Sequence, residues 1–343
     1  MGLREQGVDA YPTIHPASFV GVGSNGLPVG EEKIYPFGGV SEKRTVHCNE
    51  SGEWVIFDSD AHGFNNPPSE ASLWEKNDGK LEVDIVLVGD SFAHGYCVKP
   101  GEEIAGQLRR GDRKVLNLGY SSNGPLIELA TLKEYGEPFK PRIVLWVYFE
   151  RNDLKDLLTE KNSSLLLSYL DKDFSQGLLK RQAEIDRLLM KHSKAEEEKA
   201  KAKEERLGSD WAPLVRLYNV RTFLNFYIDD TRDKSPALPL FREILAEAKE
   251  RSDSWGGKLY FVYLPASARY DGSLDQDNLH NRQDVLSLVE ELSIPIIDFH
   301  EVMSTHPDPL SIFPFRIGGH YTAEGYRLLA EQIETYLESD SGE

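Results

Sequence analysis

Ser91, Asn152 and His320 are the residues of this chain whose types and settings together could move an acyl group. Ser91 ends the turn Gly89-Asp90-Ser91, directly after the apolar run Ile85 to Val88. Asn152 lies in Glu150-Arg151-Asn152-Asp153, after the apolar run Ile143 to Phe149, and His320 lies in Gly319-His320-Tyr321, near the C-terminus. Acyl transfer needs a nucleophile, a base of near-neutral pKa and hydrogen-bond donors aimed at the developing oxyanion. A serine hydroxyl, an imidazole and a carboxamide supply these three, provided the base reaches the hydroxyl. Taken singly, each has a structural alternative. Ser91 fits a serine N-cap after a strand, and Asn152 fits a turn with Asp153 capping the next helix. His320 fits the residue ahead of a helix capped at Thr322.

The elements that must position these residues read as alternating strands and helices. Strands are expected at 83–88, 114–118 and 142–149, with helices at about 101–110 and 124–136. A further strand spans 258–264 and ends at Pro265. A helix covers 284–292, and 294–298 is a short strand whose proline marks a sheet edge. The last helix, 322–337, puts Tyr326, Leu329, Ile333 and Leu337 on one face. Alternation of this kind predicts a parallel sheet with helical cover, in a flavodoxin-like three-layer α/β/α sandwich. Such sheets bind ligands beyond the carboxyl ends of their strands, where Ser91 and Asn152 fall. Residues 1–80, rich in Gly, Pro, Asn and Ser, read as an irregular or β-rich extension packed on the core near the site. Residues 81–343 read as the α/β domain, with a helical insertion at about 154–250 that could form a lid or substrate wall. Within it, Leu178, Leu179, Gln182, Ile185, Leu188 and Leu189 form one stripe, and 194–206 reads as a solvated charged helix. Residues 211–228 are expected to pack back on the domain.

In order along the chain, Gly89-Asp90-Ser91-Phe92, Asn117-Leu118-Gly119-Tyr120-Ser121-Ser122-Asn123-Gly124, Asn152-Asp153 and Gly319-His320-Tyr321 resemble the motif series of the SGNH (GDSL-type) hydrolases. The resemblance covers about 81–343 apart from the middle, and it implies the same sandwich. It implies Ser91 as nucleophile and His320 as base. The oxyanion hole it implies takes the Ser91 N–H, the Asn152 side chain and a backbone N–H of the glycine block. The family's donor glycine aligns with Ser122 here, so the donor is Ser122 or Gly124. The family commonly has an aspartate two or three residues before the histidine, where this chain has Gly318 and Ile317. The expectation is therefore a Ser–His dyad, or a triad whose acid is displaced to Asp298, Asp308 or Glu150. Asp90, His94 and Arg151 are placed to line the pocket. His94 reads more readily as a satisfied structural histidine, and Arg151 could bridge to Glu150 or Asp153.

The two cysteines, Cys48 and Cys97, gain meaning from the same resemblance, because similar chains often carry an upstream anchor or export signal that a truncated chain would lack. In an extracytoplasmic enzyme, periplasmic or membrane-anchored at full length, they would form a disulfide tying the N-terminal segment to the core. In a cytoplasmic one they would be two buried thiols.

The net charge of −18 argues against nucleic acid and anionic membrane surfaces as partners. No stretch approaches the ~18 consecutive apolar residues of a membrane span. No phosphate-cradling glycine loop or zinc-ligand cluster is evident, so neither a cofactor nor a metal is expected. Two function classes remain. One is a serine esterase or O-acetyltransferase acting on a small-molecule or carbohydrate ester, with Trp54, Phe57 and Phe64 as aromatic flanks. The other is a non-catalytic carbohydrate-binding or scaffold protein of the same fold.

Overall fold

Successive strand residues point to opposite faces of a sheet, so a strand covered on both faces must be apolar throughout. β5 (Ile85–Gly89) and β7 (Ile143–Phe149) meet that condition and lie side by side in parallel register, Ile85 opposite Ile143. This computed structural model describes residues 10–20, 26–50, 53–75, 83–207, 235–272 and 276–341. With β6 (Val115–Asn117), β8 (Lys258–Leu264) and β9 (Ile296–Asp298), they form a five-stranded sheet in the order β6-β5-β7-β8-β9. Every pairing in this sheet is parallel. That is the flavodoxin-like order, with its topological switch point between β5 and β7. β9 lies at the edge, where its proline-flanked sequence placed it.

The alternation divides the core in two. Val86, Val88, Val144, Trp146, Phe261 and Tyr263 face one layer, while Ile85, Leu87, Leu145, Val147, Tyr260 and Val262 face the other. The second layer holds α1 (Ser91–His94) and α2 (Ile104–Arg109). The first layer holds α3 (Pro125–Thr131), α4 (Asp153–Glu160), α5 (Ser164–Leu167) and α6 (Gln182–Leu207). α7 (Leu238–Ser254) buries Phe241, Ile244 and Leu245 in that same first layer, as the crossover into β8. The short α8 (Ala268–Asp271) follows β8, and α9 (Gln276–Glu291) returns to the first layer. α10 (Phe299–Thr305) and α11 (Ala323–Ser341) complete the second, with the expected Tyr326, Leu329, Ile333 and Leu337 inward. The chain is thus a three-layer α/β/α sandwich.

The insertion reads as helical over 154–170 and 174–206, and the break between the two stretches runs longer, over 171–177, for a physical reason. The Lys133 ammonium donates to the carbonyl of Tyr169 at 2.8 Å. Glu134 accepts the Tyr169 hydroxyl at 2.7 Å and the Leu178 N–H at 2.8 Å. These buried bonds hold 171–177 as an irregular bridge, where local helix propensity loses to tertiary partners. Residues 211–228 lie outside the described residues.

The N-terminal segment forms two antiparallel hairpins, β1 (Leu27–Val29) with β2 (Glu32–Ile34) and β3 (Arg44–Cys48) with β4 (Val55–Asp58). Ile34, Tyr35, Phe37 and Phe64 are buried in the first-layer core. The Asn66 amide donates to the Asn117 carbonyl at 3.0 Å and accepts the Asn117 N–H at 2.9 Å, pairing with the edge strand β6 as a further strand would. Two of the three flanking aromatics read as substrate-facing, Phe57 and Phe64, are core residues; Trp54 is exposed.

Candidate active site

β5 ends on Gly89 at φ 154°, where a Cβ would come within 2.8 Å of the Val147 carbonyl oxygen, so only glycine fits the exit toward the switch point. Asp90 then caps α1, its Oδ1 accepting the Phe92 N–H at 2.8 Å. This presents Ser91 at the first helical position. His320 arrives from the loop before α11, and its Nε2 lies 2.7 Å from Ser91 Oγ. The other ring nitrogen, Nδ1, lies 2.8 Å from Glu50 Oε1, and Glu50 Oε2 accepts the His320 backbone N–H at 3.3 Å. An ionised carboxylate only accepts, so Nδ1 carries the proton and Nε2 is left to accept from the Ser91 hydroxyl. The rings of Phe92 and Tyr96, 4.9 and 4.7 Å away, hold the imidazole in place. Gly319 passes so close to Glu50 that a Cβ would sit 2.9 Å from Oε2, and its φ of 100° also requires glycine. Burial pushes the Glu50 carboxyl up, but the His320 charge and both hydrogen bonds outweigh this and leave it below its ordinary value.

Glu50 was not among the acids expected from the sequence. The three that were are engaged elsewhere. Glu150 pairs with Arg269 and accepts the Ala266 N–H at 2.6 Å. Asp298 pairs with Arg282 and caps α10 through the His300 N–H at 2.9 Å. Asp308 holds Arg316 at 2.6 Å. The position left vacant by Gly318 is thus served from a distant part of the chain. One signal pointed there: Glu50 lies two residues after Cys48, and Cys48 is bridged to Cys97, six residues after Ser91. The disulfide joins the two cysteines, as one of the two sequence readings had it. The Glu50, Cys97 and His320 side chains lie close enough to share a cation. Cys97 Sγ is committed to the disulfide, however, which leaves two ligands already bonded to each other.

On the other side of Ser91, the two alternatives for the backbone donor separate. The Gly124 N–H donates to Glu160 Oε1 at 2.6 Å, within the start of α3, and is spent. Ser122 is exposed with φ 67°, and among the described residues neither its N–H nor that of Ser91 has an acceptor. The His15 ring bonds the adjacent Ser121 carbonyl at 3.2 Å, so the N-terminal segment braces this loop too. The Asn152 amide nitrogen donates to Asp90 Oδ2 at 3.0 Å and Asp156 Oδ2 at 2.9 Å, which occupies both of its hydrogens. Behind it lie Asp90, Glu128, Asp153 and Glu160, all buried. Both Glu128 oxygens, one Asp153 oxygen and the Asn152 Oδ1 are buried with no partner among the described residues. Burial, reinforced by the neighbouring carboxyls, lifts Glu128 and Asp153 well above the carboxylate range and Glu160 to about 8. Burial also raises Asp90, against the opposing pull of its Phe92 and Asn152 hydrogen bonds.

His94 does not line the pocket. It is buried, stacked on Tyr120 at 4.5 Å and edge-on to His47 at 4.3 Å, with Nδ1 on the Ser121 hydroxyl at 3.1 Å. Arg151 is half-buried just beyond β7. No helix among the described residues is long and apolar enough to cross a membrane.

No family model matches the chain, and no curated protein matches it. Solved structures do. The chain is similar to a lipase/acylhydrolase from Enterococcus faecalis at 14% identity, covering 76% of this chain and 97% of that one with a TM-score of 0.43. It is similar to a GDSL-like lipase from Bacteroides thetaiotaomicron at 10% identity, covering 79% and 95% with a TM-score of 0.42. It is also similar to a variant of an acetyl-xylooligosaccharide esterase from Geobacillus at 13% identity, covering 73% and 91% with a TM-score of 0.39.

Proposed function

We propose that this protein is a serine-dependent acyl-ester hydrolase or O-acyltransferase of the SGNH type, with acetyl esters of a carbohydrate as its substrate class. The observation that carries the reading is the unbroken run of bonds from Ser91 Oγ through His320 to Glu50, at 2.7 and 2.8 Å. In this reading Ser91 Oγ attacks the ester carbonyl as its proton passes to His320 Nε2. Glu50 keeps the imidazole in the required tautomer and offsets the charge it gains. The N–H groups of Ser91 and Ser122 receive the oxyanion. Asn152 joins them by turning one amide hydrogen from a carboxylate toward the substrate. His320 returns its proton to the leaving alcohol. The acyl-serine is then resolved by water in hydrolysis or by an acceptor hydroxyl in transfer, with His320 again as base. Trp54, exposed and close in sequence to Glu50, supports a sugar acceptor. The Cys48–Cys97 disulfide supports an extracytoplasmic setting.

The test is hydrolysis of a small aryl acetate by the wild type, Ser91→Ala and His320→Ala, with intact-mass detection of an acyl adduct. The wild type is expected to turn over and to carry the adduct on Ser91. Each variant is expected to lose on the order of 10⁴-fold or more in kcat, since members of such a unit fail together. A wild type with neither turnover nor adduct overturns the reading. Adding acceptor oligosaccharides then separates transfer from hydrolysis.

A further inference from the structure

The acid of this site stands on a different piece of chain from the serine and the histidine, and the described contacts of its carboxylate are both with His320. Its side chain is about a quarter exposed, and among the described residues no cation other than His320 pairs with it. Where Glu50 sits therefore depends on what holds its backbone. The segment leaves β3 at Cys48 through an irregular register between Val46 and Cys48. The preceding residue, His47, is buried against Phe57, His94 and Tyr96, yet neither ring nitrogen has a hydrogen-bond partner among the described residues. The strand end is thus anchored by its pairing with β4, where Cys48 lies opposite Val55, by apolar contact and by one covalent bond. That bond runs from Cys48, two residues before Glu50, to Cys97, which follows Tyr96, one of the two rings flanking His320. Cys97 sits at φ 68°, a conformation disfavoured for a residue with a side chain.

We infer that the Cys48–Cys97 disulfide is the positioning element for Glu50, and that its reduction turns the Ser91–His320–Glu50 relay into a Ser–His pair. This rests on the esterase reading above and adds to it a redox condition for full activity. A carboxylate on an untethered loop must be ordered in every turnover, whereas the cross-link has already removed most of that freedom. Reduction by a dithiol proceeds by thiolate attack on one sulfur. The Cys48–Cys97 bond breaks and a mixed disulfide forms. The reagent's second thiol then closes its own ring, leaving two electrons and two protons on the cysteines. Ser91, His320 and the sheet are untouched by this chemistry.

The experiment compares the oxidised full chain with the dithiothreitol-reduced chain, each as wild type and as Glu50→Gln, on a small aryl acetate. Reduction is expected to lower wild-type kcat on the order of 10³-fold, toward the Glu50→Gln value. It is expected to leave Glu50→Gln nearly unchanged, because the group being positioned is already gone. Equal losses in both backgrounds would make the bridge merely structural and overturn the inference, as would an unchanged wild type. Should the reduced chain unfold, a variant with two glycines inserted between Asn49 and Glu50 keeps the bridge and loosens only the acid. The same fall is expected there, and full activity overturns the inference. A readout independent of turnover is the downfield proton resonance of His320 Nδ1–H. It is expected in the oxidised wild type, absent in Glu50→Gln, and lost on reduction; its survival on reduction sinks the tether. If the oxidised wild type shows no turnover, the esterase reading fails, while this resonance still decides the tether.

Discussion

The two sides of Ser91 handle charge in opposite ways. Toward His320, each polar atom meets a complementary one: hydroxyl to Nε2, Nδ1 to Glu50, and the Glu50 carboxylate is drawn below its ordinary value by the imidazole it faces. Toward Asn152, Asp90, Glu128, Asp153 and Glu160 are packed out of water with no cation among them in the described contacts, and their carboxyls are driven upward toward the neutral form. One side keeps a charge by pairing it; the other keeps groups buried by suppressing charge. In the proposed mechanism the difference matters, because the paired side accepts a proton during turnover whereas the other side releases one amide hydrogen to the oxyanion.

The largest effect that tests this contrast is on the paired side. Glu50→Gln keeps the volume but removes the anion and offers Nδ1 an ambiguous partner. It is expected to cost on the order of 10³ to 10⁴ in kcat with little change in KM. Its stability effect has a definite sign. The folded pKa of Glu50 lies below the unfolded one, so the wild type's advantage over Glu50→Gln should be full above the ordinary glutamate value of 4.5. It should be lost as pH falls through the folded value. Denaturant melts of both proteins between pH 3 and pH 7 check this, and a difference that grows toward acid breaks the pairing account.

The next effect lies on the other side. Asn152→Ala removes the amide that joins Asp90 to Asp156 and, in the proposed mechanism, one oxyanion donor. Loss of such a donor is expected to cost about 100- to 1,000-fold in kcat, visible in steady-state hydrolysis of the aryl acetate. A loss confined to KM would mean that Asn152 shapes binding and not the transition state.

The smallest effect is on stability alone. Glu128 is buried with neither oxygen partnered among the described residues, and its folded pKa lies above the unfolded one. As pH rises above the ordinary range, the unfolded chain has released this proton while the folded chain still holds it. Folding stability therefore falls by about 1.4 kcal/mol per pH unit from this one group. Glu128→Gln is expected to remove that contribution, so that the variant gains on the wild type as pH rises from 5 to 8 in chemical denaturation. A constant difference across that range would show that Glu128 is already ionised in the folded protein.

What could be read from the sequence was whatever is written in local pattern. Continuous apolar runs at Ile85–Val88, Ile143–Phe149 and Leu259–Leu264 determined the central strands, since only a strand covered on both faces needs them. The turn chemistry at their ends placed Ser91, and the spacing of Tyr326, Leu329, Ile333 and Leu337 placed the closing helix that follows His320. The acid was not legible, because no local rule relates a hairpin end at Glu50 to an imidazole 270 residues later. Nor was it legible that Gly124 had already given its N–H to Glu160, or that Phe57 and Phe64 point into the core. Each of these depends on which distant group reaches a given atom first. The local sequence determined where a serine hydroxyl, an imidazole and a carboxamide are presented. Tertiary packing alone decided which carboxylate meets His320 and which are pushed upward on the other side of Ser91, because the pKa of a buried acid is set by its neighbours in space.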